Sequence, residues 1–231
     1  MTDYAIILAG GEGRRMQGIL PKQFLPLGGR PMLMHSMEAF HRYNATIRLV
    51  LVLHPAWQEQ WKVLCLEHRF ELPHEVAKGG RERFHSVSSG LEMIPDSNAC
   101  VAVHDAARPL LGQELIARCY HMAEKHGAVV PVVLPSESLR QVDAKGLNRS
   151  VDRSSYRMVQ TPQCFRVPLL KSAYLQDYNP RFTDDASVVE ALGEPITLIE
   201  GEVTNIKITM PSDLMWAEHW LMAGQPSADS G

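Results

Sequence analysis

A glycine-rich turn and a group of cations lie next to each other near the start of the chain, between residues 10 and 22. The glycines are Gly10, Gly11 and Gly13, and the cations are Arg14, Arg15 and Lys22. Glycines leave no side chain between the backbone amides and a ligand, so an anion can approach those amides closely. Guanidinium and ammonium groups add charged donors that suit phosphate oxygens. These residue types at this spacing predict a binding site for a polyphosphate.

The spacing excludes the two commonest phosphate-binding loops. In a P-loop the second glycine is followed by lysine and then serine or threonine, whereas Ile19 follows Gly18 here. A dinucleotide fingerprint needs a small residue where Met16 stands and an acid about twenty residues later, where the chain has Arg30. A hydride-transfer enzyme is therefore disfavoured. For the glycines alone, a plain tight turn followed by solvated cations is the competing interpretation.

Three further positions carry groups that could serve the same site. Residues 79–83 (GGRER) hold a second glycine pair, Asp105 comes directly after an apolar run, and Lys207 lies between two isoleucines. A lysine with buried neighbours is costly unless its ammonium reaches water or an anion, which makes Lys207 a functional candidate. Structural alternatives stay open for each of them. They are a helix-capping turn at 79–80, a turn cap for Asp105 and an edge strand around Lys207.

Apolar runs and helical periodicity place these residues in an alternating pattern of strands and helices. Strands are predicted at residues 4–8, 47–53, 76–81, 100–103, 128–133, 196–199 and 205–208. Helices are predicted at residues 31–43, 55–68, 83–93, 113–125 and 212–222, and one more opens with Thr183 as its cap. This alternation predicts an α/β fold with a Rossmann-like, mostly parallel sheet and helices on both faces. Ligands bind at the carboxyl ends of such strands, so the loops at 10–15, 79–83 and 105–108 should converge on one rim.

The composition is that of a soluble globular protein. The 231 residues are 45% hydrophobic and 21% charged, and the net charge of -3 argues against nucleic acid or an anionic membrane as the main partner. No apolar run has the roughly eighteen residues of a membrane span, and no leader-like segment opens the chain, so we expect a cytoplasmic protein. Four separated cysteines form no Cys-x-x-Cys pair and predict free thiols. We expect one domain at 1–223 and a flexible tail at 224–231.

Several segments together resemble a known family. Residues 8–16 (LAGGEGRRM) and 21–23 (PKQ) resemble the signature loop of the sugar-nucleotide pyrophosphorylase and nucleotidyltransferase superfamily. Within that superfamily, residues 104–109 (HDAARP), 151–153 (VDR) and 183–187 (TDDAS) resemble the 2-C-methyl-D-erythritol 4-phosphate cytidylyltransferase family. The resemblance runs from Ala5 to about Leu214.

The resemblance implies a reaction of the non-mevalonate route to isoprenoid precursors. CTP and 2-C-methyl-D-erythritol 4-phosphate would give 4-diphosphocytidyl-2-C-methyl-D-erythritol and pyrophosphate. One alternative is a cytidylyltransferase for ribitol 5-phosphate or another alditol phosphate. A second is a nucleotide-binding module without catalysis, which would keep the glycine loops yet could lose Lys22, Arg153 or Lys207; this chain has all three.

The resemblance also implies a set of site residues, some of them with more than one role. The catalytic residues would be Arg15, Lys22, Arg153 and Lys207. The nucleotide-binding residues would be Leu8, Ala9, Gly10, Gly11, Gly13, Arg15, Lys22, Gly80, Arg81, Ser86, Asp105, Ala106 and Lys207. The residues binding the alditol phosphate would be Asp105, Arg108, Arg153, Thr161, Thr183 and Lys207. The family often carries an acid where Arg81 stands and a glutamate where Asp185 stands.

The implied chemistry needs cations and a metal ion and no general base. A phosphate monoester has a second pKa of about 6, so its attacking oxygen is already an anion, and His104 is not required as a base. We expect Mg²⁺, or another divalent cation, held mainly by the CTP phosphates with Asp105 as a possible ligand.

A change of pattern at residues 137–160 predicts an arm. Short polar and apolar stretches there surround a turn, which is typical of a hairpin, and a lone hairpin is marginal unless it packs on something. The resemblance implies that this arm hooks around a second subunit of a homodimer. It also implies that Arg153 reaches the partner's site.

Overall fold

The structure, a computed structural model, describes residues 3–10, 21–95 and 98–223. The strands are β1 (Tyr4–Ala9), β2 (Pro26–Leu27), β3 (Arg30–Pro31), β4 (Arg48–Leu53), β5 (Glu75–Lys78), β6 (Cys100–Asp105), β7 (Ala128–Val133), β8 (Leu139–Val142), β9 (Asn148–Val151), β10 (Met158–Val159), β11 (Gln163–Arg166) and β12 (Thr197–Glu200). The α-helices are α1 (Met32–Tyr43), α2 (Gln58–Glu67), α3 (Arg83–Glu92), α4 (Gln113–His126), α5 (Val167–Ala173), α6 (Asp185–Ala191) and α7 (Pro211–Ala223). Short 3-10 turns lie at Lys22–Phe24, Pro55–Trp57 and Arg153–Ser155.

The main sheet has β1 near its middle. Strand β1 pairs in parallel with β4 on one side and with β6 on the other, and β5 pairs in parallel with β4. Beyond β6, the antiparallel strand β11 lies between β6 and β7, and β7 also pairs with β10 and with the parallel strand β12. The predicted α/β fold with a mostly parallel sheet is therefore confirmed.

Side chains of β1 alternate between two apolar cores, one on each face of the sheet. Ala5 and Ile7 belong to a cluster that includes buried residues of α1 and α4. Ile6 belongs to the opposite cluster, which includes buried residues of α3 and α5. All three side chains are fully buried. Because successive strand residues point to opposite faces, one short apolar run anchors both helical layers and fixes where β1 ends.

Two local predictions were wrong. Residues 205–208 form no strand, and the segment is held to the sheet region by the Ile208 amide, which donates to the Ala107 carbonyl over 2.8 Å. Thr183 does not cap α6, because the Asp184 side chain accepts from the Ser187 amide and completes a capping box with the Ser187 hydroxyl. The apolar residues beside Lys207 correctly indicated a segment near the sheet but not its backbone pairing. Thr183 correctly indicated the start of a helix but not the residue that caps it.

The predicted arm is present as a separate two-stranded sheet. Strands β8 and β9 pair in antiparallel register, with Leu139 opposite Val151 and Val142 opposite Asn148. Almost all of its side chains are exposed, including Val142 at 62% and Leu147 at 68%. A hairpin with this much exposed apolar surface is marginal alone, which makes the arm a candidate interaction element.

Two further features concern compartment and covalent structure. Within the described ranges no helix is both long enough and apolar enough to cross a bilayer. All four cysteines have free thiols, as predicted, and Cys100, Cys119 and Cys164 are buried.

Candidate active site

A cavity of about 770 Å³ lies at the carboxyl ends of β1, β5 and β6. Its described walls are residues 8–10, 79–83 and 105–107, together with single side chains from elsewhere in the chain. Gly10, residues 79–83 and residues 105–107 therefore meet at one rim, as expected for the strand ends of a parallel sheet, while residues 11–15 of the first predicted loop lie outside the described residues. The predicted nucleotide-binding residues along this wall are Leu8, Ala9, Gly10, Lys22, Gly80, Arg81, Ser86, Asp105, Ala106 and Lys207. The predicted residues Gly11, Gly13 and Arg15 lie outside the described part of the chain.

The 3-10 turn at Lys22–Phe24 brings a cation back to the end of β1. Its middle residue, Gln23, is buried, and the Gln23 side-chain amide Nε2 donates to the Ala9 carbonyl over 2.6 Å. The Lys22 ammonium donates to the Ile208 carbonyl over 3.1 Å, next to Lys207. Lys22 and Lys207 therefore reach one wall of the cavity from segments far apart in sequence. Two ammonium groups placed this way form a cationic wall suited to phosphate oxygens.

The glycine pair after β5 is fixed by a serine hydroxyl. Ser86 Oγ accepts from the Gly80 amide over 3.0 Å and donates to the Glu82 carbonyl over 3.2 Å. A Cβ atom on Gly80 would lie 2.4 Å from the Cβ of His85, so only glycine fits here without a shift. Arg81 extends from the same loop with its side chain 89% exposed. The Gly79 amide donates to the Leu53 carbonyl and the Gly80 amide to Ser86, so the loop backbone is held in place at the cavity wall, which suits recognition of a planar base.

Asp105 lies between two cations at the end of β6. Its Oδ2 is 2.7 Å from the Lys207 ammonium, and its Oδ1 is 3.9 Å from Arg83 Nε. Burial alone would raise the pKa of Asp105, but the charges of Arg83 and Lys207 hold that pKa well below its usual range. The carboxyl is therefore ionised at any physiological pH. An ionised carboxylate here can accept from a sugar or alditol hydroxyl and orients the Lys207 ammonium.

His104 and Thr161 form a buried polar pair behind Asp105. The Thr161 hydroxyl accepts from the Asp105 amide over 3.1 Å and lies 3.1 Å from His104 Nδ1. His104 Nε2 lies 3.1 Å from the Arg108 carbonyl, and burial lowers the pKa of His104 to about 4. Both ring nitrogens thus face protein atoms, which agrees with the expectation that His104 is not a general base. Thr161, which is predicted to bind substrate, contacts the backbone that carries Asp105.

We predict that His104 makes the protein less stable in mild acid. The unfolded ring takes up a proton near pH 6.5, whereas the folded ring does so only near pH 4. The free energy of unfolding is therefore unaffected by this ring above pH 6.5. As the pH falls towards 4, it decreases by a total of about 3 kcal/mol, because the unfolded ring binds a proton and the folded ring does not. Urea unfolding between pH 7 and 4 should show this loss, and His104→Gln should reduce it, with His121→Gln as the surface control. Equal pH dependence in the wild type and His104→Gln would contradict the assignment.

Besides Thr161, three more predicted substrate-binding residues lie off the described cavity wall. Arg108 is partly buried, and its guanidinium donates to the carbonyls of Asn205 over 2.7 Å and Val159 over 3.3 Å. Thr183 is exposed just before α6. Arg153 is exposed at the base of the arm and donates to the Ser136 carbonyl. Within one chain, these residues do not join the group that surrounds Asp105.

The structure adds residues that the sequence did not single out. Arg83 lines the cavity and forms two hydrogen bonds with Asp185, 2.8 Å and 2.6 Å long. These two residues are 102 positions apart, so no local pattern could pair them. Gln23 could have been found from the sequence, because it is the last residue of the Pro-Lys-Gln segment of the signature loop.

The sheet and its cavity define the general class of this protein. The strands are mostly parallel, glycine-containing loops follow β1 and β5, and Lys22, Lys207 and Arg83 line the cavity together with Asp105. Binding at the strand ends of a Rossmann-like sheet, with backbone edges on one side and cations on the other, is the arrangement of an α/β nucleotide-binding protein.

Comparison with known proteins gives the family. The family model described as IspD: 2-C-methyl-D-erythritol 4-phosphate cytidylyltransferase matches residues 4–223. A Bacteroides thetaiotaomicron protein of that name is 53% identical over 214 residues, covering 93% of this chain and 97% of the relative. A Geobacillus kaustophilus protein of the same name is 37% identical over 220 residues, covering 94% and 96%. The crystal structure of the Thermus thermophilus protein of this name has a TM-score of 0.78 and 33% identity, covering 96% of this chain and 100% of that one.

The chain belongs to the 2-C-methyl-D-erythritol 4-phosphate cytidylyltransferase family. It is therefore an enzyme, a nucleotidyltransferase of the cytidylyltransferase type.

Proposed function

We propose that this enzyme transfers the cytidylyl group of CTP to 2-C-methyl-D-erythritol 4-phosphate. A phosphate oxygen of the alditol attacks the α-phosphorus of CTP, the bond from that phosphorus to the bridging oxygen breaks, and pyrophosphate leaves. The product is 4-diphosphocytidyl-2-C-methyl-D-erythritol, a precursor in isoprenoid biosynthesis. The observation that carries this proposal is the Lys207–Asp105 pair, 2.7 Å apart, on a cavity wall shared with the Gly79–Gly80 loop and Lys22.

Repulsion between anions is the barrier that the described cations can lower. The attacking monoester oxygen is already ionised near neutral pH, because the second pKa of such a phosphate is about 6. The site therefore has no proton to remove, and the charge that grows on the departing pyrophosphate must be stabilised. Lys22 lies beside the end of β1, where the triphosphate would meet the glycine-rich loop, and Lys207 lies beside Asp105. In this proposal Lys22 acts on the triphosphate, with Arg15 assigned the same role, and Lys207 holds the attacking phosphate.

The Asp105 carboxylate has two compatible roles. It orients Lys207 through their ion pair, and its free lone pairs can accept from a hydroxyl of the ribose or the alditol. Asp105 and Glu82 are the carboxylates on the described cavity wall, and the described residues contain no group of three side chains able to hold a metal. Magnesium commonly uses one or two carboxylates, substrate phosphates and waters, so this donor set fits a magnesium ion with Asp105 as its protein ligand. When bound, magnesium would neutralise phosphate charge.

A homodimer completes the proposal. Exposed apolar side chains cluster along the arm and its base, and they include Val142, Leu147, Tyr156, Met158 and Val159. A surface of this kind is stabilised when a second copy covers it. Arg153 at the base of the arm would then enter the partner's cavity and contact the alditol phosphate. In this scheme residues 1–223 form one catalytic domain, and the enzyme works in the cytoplasm.

Release of pyrophosphate tests the substrate assignment directly. With CTP and magnesium, we expect turnover with methylerythritol phosphate to exceed turnover with ribitol 5-phosphate by at least about 100-fold in kcat/KM. An unmatched buried polar group typically costs a few kcal/mol in such discrimination, which supports this expected ratio. Replacing CTP with ATP should cause a similar loss, because the base loop presents fixed backbone groups. A preference for ribitol 5-phosphate would show that the enzyme is a ribitol-5-phosphate cytidylyltransferase. If neither alditol phosphate leads to pyrophosphate release, the proposed catalysis is refuted.

A further inference from the structure

Arg83 has both edges of its guanidinium committed to carboxylates. The NH1 and NH2 atoms donate to the two oxygens of Asp185 over 2.8 Å and 2.6 Å, a bidentate pair. The remaining Nε edge faces Asp105 Oδ1 at 3.9 Å. Arg83 also lines the cavity, with its side chain 29% exposed. Since its fork is filled by Asp185, Arg83 cannot offer that fork to a phosphate.

Asp185 is held by a second side chain besides Arg83, and both donate to its Oδ1. Its side chain is fully buried, and the Tyr174 hydroxyl donates to its Oδ1 over 2.6 Å. Tyr174 is fixed by stacking on Phe84, with ring centroids 4.7 Å apart. Phe84 follows Arg83 on α3, so the same helix carries the guanidinium that binds Asp185 and the ring that supports Tyr174. The Asp185 carboxylate therefore has its position defined by a hydroxyl, a guanidinium and the packing around them.

This buried pair is better explained by the site than by stability. Moving an arginine and an aspartate out of water costs several kcal/mol, and their attraction often only offsets that cost. Burial alone would lower the pKa of Arg83, yet Asp185 and Asp105 raise it, so the guanidinium stays charged beside the cavity. A permanently charged guanidinium 3.9 Å from Asp105 Oδ1 attracts that oxygen electrostatically. The Lys207 ammonium pairs with the other oxygen of the same carboxylate.

We infer that Arg83 is a positioning residue, clamped by Asp185 and Tyr174, that orients the Asp105 carboxylate and through it the Lys207 ammonium for cytidylyl transfer. This inference rests on the proposed function of the same cavity. Asp185 and Tyr174 act only through Arg83 and do not contact the substrates. Misplacing reacting groups by about 1 Å can cost 100-fold in rate, so loosening the clamp should act on kcat.

Two substitutions of Asp185 separate charge from volume. Asp185→Asn keeps the volume and removes the charge, so we expect kcat to fall by between about 10- and 100-fold, with KM for both substrates changed less than about threefold. Asp185→Glu restores the carboxylate at the cost of one methylene and should recover most of kcat. A packing role predicts the reverse order, with Asn tolerated and Glu harmful. That order, or equal kcat in all three proteins, would overturn the inference.

If Asp185→Asn fails to fold, Tyr174→Phe tests the clamp. It removes one hydroxyl and keeps the ring stacked on Phe84, so kcat should fall by roughly 3- to 10-fold without a change in KM. Tyr178→Phe is the matched control, since Tyr178 packs on the same Phe84 ring with centroids 5.9 Å apart, and its kcat should equal the wild type. A fall in both, or in neither, would overturn the inference.

A spectroscopic measurement keeps the clamp separable from the proposed reaction. In a nitrogen-15 spectrum of the intact protein, the Nε–H signal of Arg83 can be identified by its loss in Arg83→Lys. We expect this signal to shift in Tyr174→Phe and to stay in place in Tyr178→Phe. An unchanged signal in Tyr174→Phe overturns the clamp even if turnover is never observed. If the signal shifts in Tyr174→Phe but the wild-type protein releases no pyrophosphate, the clamp stands and the proposed reaction is refuted.

Discussion

Lys207→Met is expected to lower kcat by about 100- to 1,000-fold, the loss typical of removing one preorganised charged donor from an active site. The ammonium lies 2.7 Å from Asp105 on the cavity wall, where it would meet the attacking phosphate. Methionine keeps the length of the side chain and removes its charge. The protein should remain folded, because Asp105 keeps the nearby charge of Arg83 and its backbone amide still donates a hydrogen bond to the Thr161 hydroxyl. Steady-state pyrophosphate release and thermal unfolding would measure the two quantities together.

Two companion variants decide what a loss of rate means. Lys62→Met removes a lysine whose side chain is 68% exposed and paired with Glu59 on α2, and its kcat should match the wild type. Lys207→Arg keeps a positive charge on a bulkier head group and should recover part of the rate. If Lys207→Met retains more than about a third of wild-type kcat, Lys207 is not a transition-state donor.

The sheet could be predicted from the sequence because its central strands are short, apolar and β-branched. The segments that form β1 and β7 have no polar residue inside them, and Arg48 at the start of β4 is the only one in that strand, so burial on both faces was the natural interpretation. Parallel connection then placed their following loops at one rim, without any knowledge of side-chain contacts. The placement of Gly80 and Asp105 on one cavity wall follows from those two steps.

Elements that depend on distant partners could not be predicted in the same way. Strand β11 begins with Gln163 and ends with Arg166, so its outer residues do not read as a buried strand, yet it lies between β6 and β7. Its polar first residue is buried because Gln163 donates to Asp184 over 2.8 Å and accepts from the Ala186 amide over 2.9 Å. Only the folded chain brings α6 to that side chain.

The segment at Lys207 shows a different limit. Flanking isoleucines predicted a strand, but apolar neighbours report burial and do not report which backbone groups pair. Here Ile208 is buried and makes one backbone bond to Ala107, and no ladder forms along residues 205–208. The functional prediction for Lys207 assumed a strand, but its physical basis, the cost of a charge beside buried residues, holds without one. The structure places Lys207 on the cavity wall.

The proposed sharing of Arg153 between subunits gives a second prediction of large effect. Arg153→Ala homodimers are expected to lose about 100-fold in kcat, since a cation that faces the attacking phosphate is removed. In one chain, however, the Arg153 guanidinium donates to the Ser136 carbonyl and lies off the described cavity wall. In the proposed homodimer the arm carries this residue to the site of the other chain. A heterodimer of two inactive subunits can distinguish the two arrangements.

A heterodimer that pairs an Arg153→Ala subunit with a Lys207→Met subunit should regain about half of the wild-type turnover if Arg153 acts across the interface. The subunit that keeps Lys207 would then receive its Arg153 from the partner, so one of the two sites is complete. If Arg153 acts within its own chain, both sites are defective and nothing is regained. The reciprocal heterodimer, one wild-type subunit with one doubly substituted subunit, reverses the expectation: sharing leaves both sites incomplete, whereas separate sites leave one intact. Subunits with two different affinity tags allow each heterodimer to be purified and assayed, and activity in the reciprocal pair alone would refute the shared site.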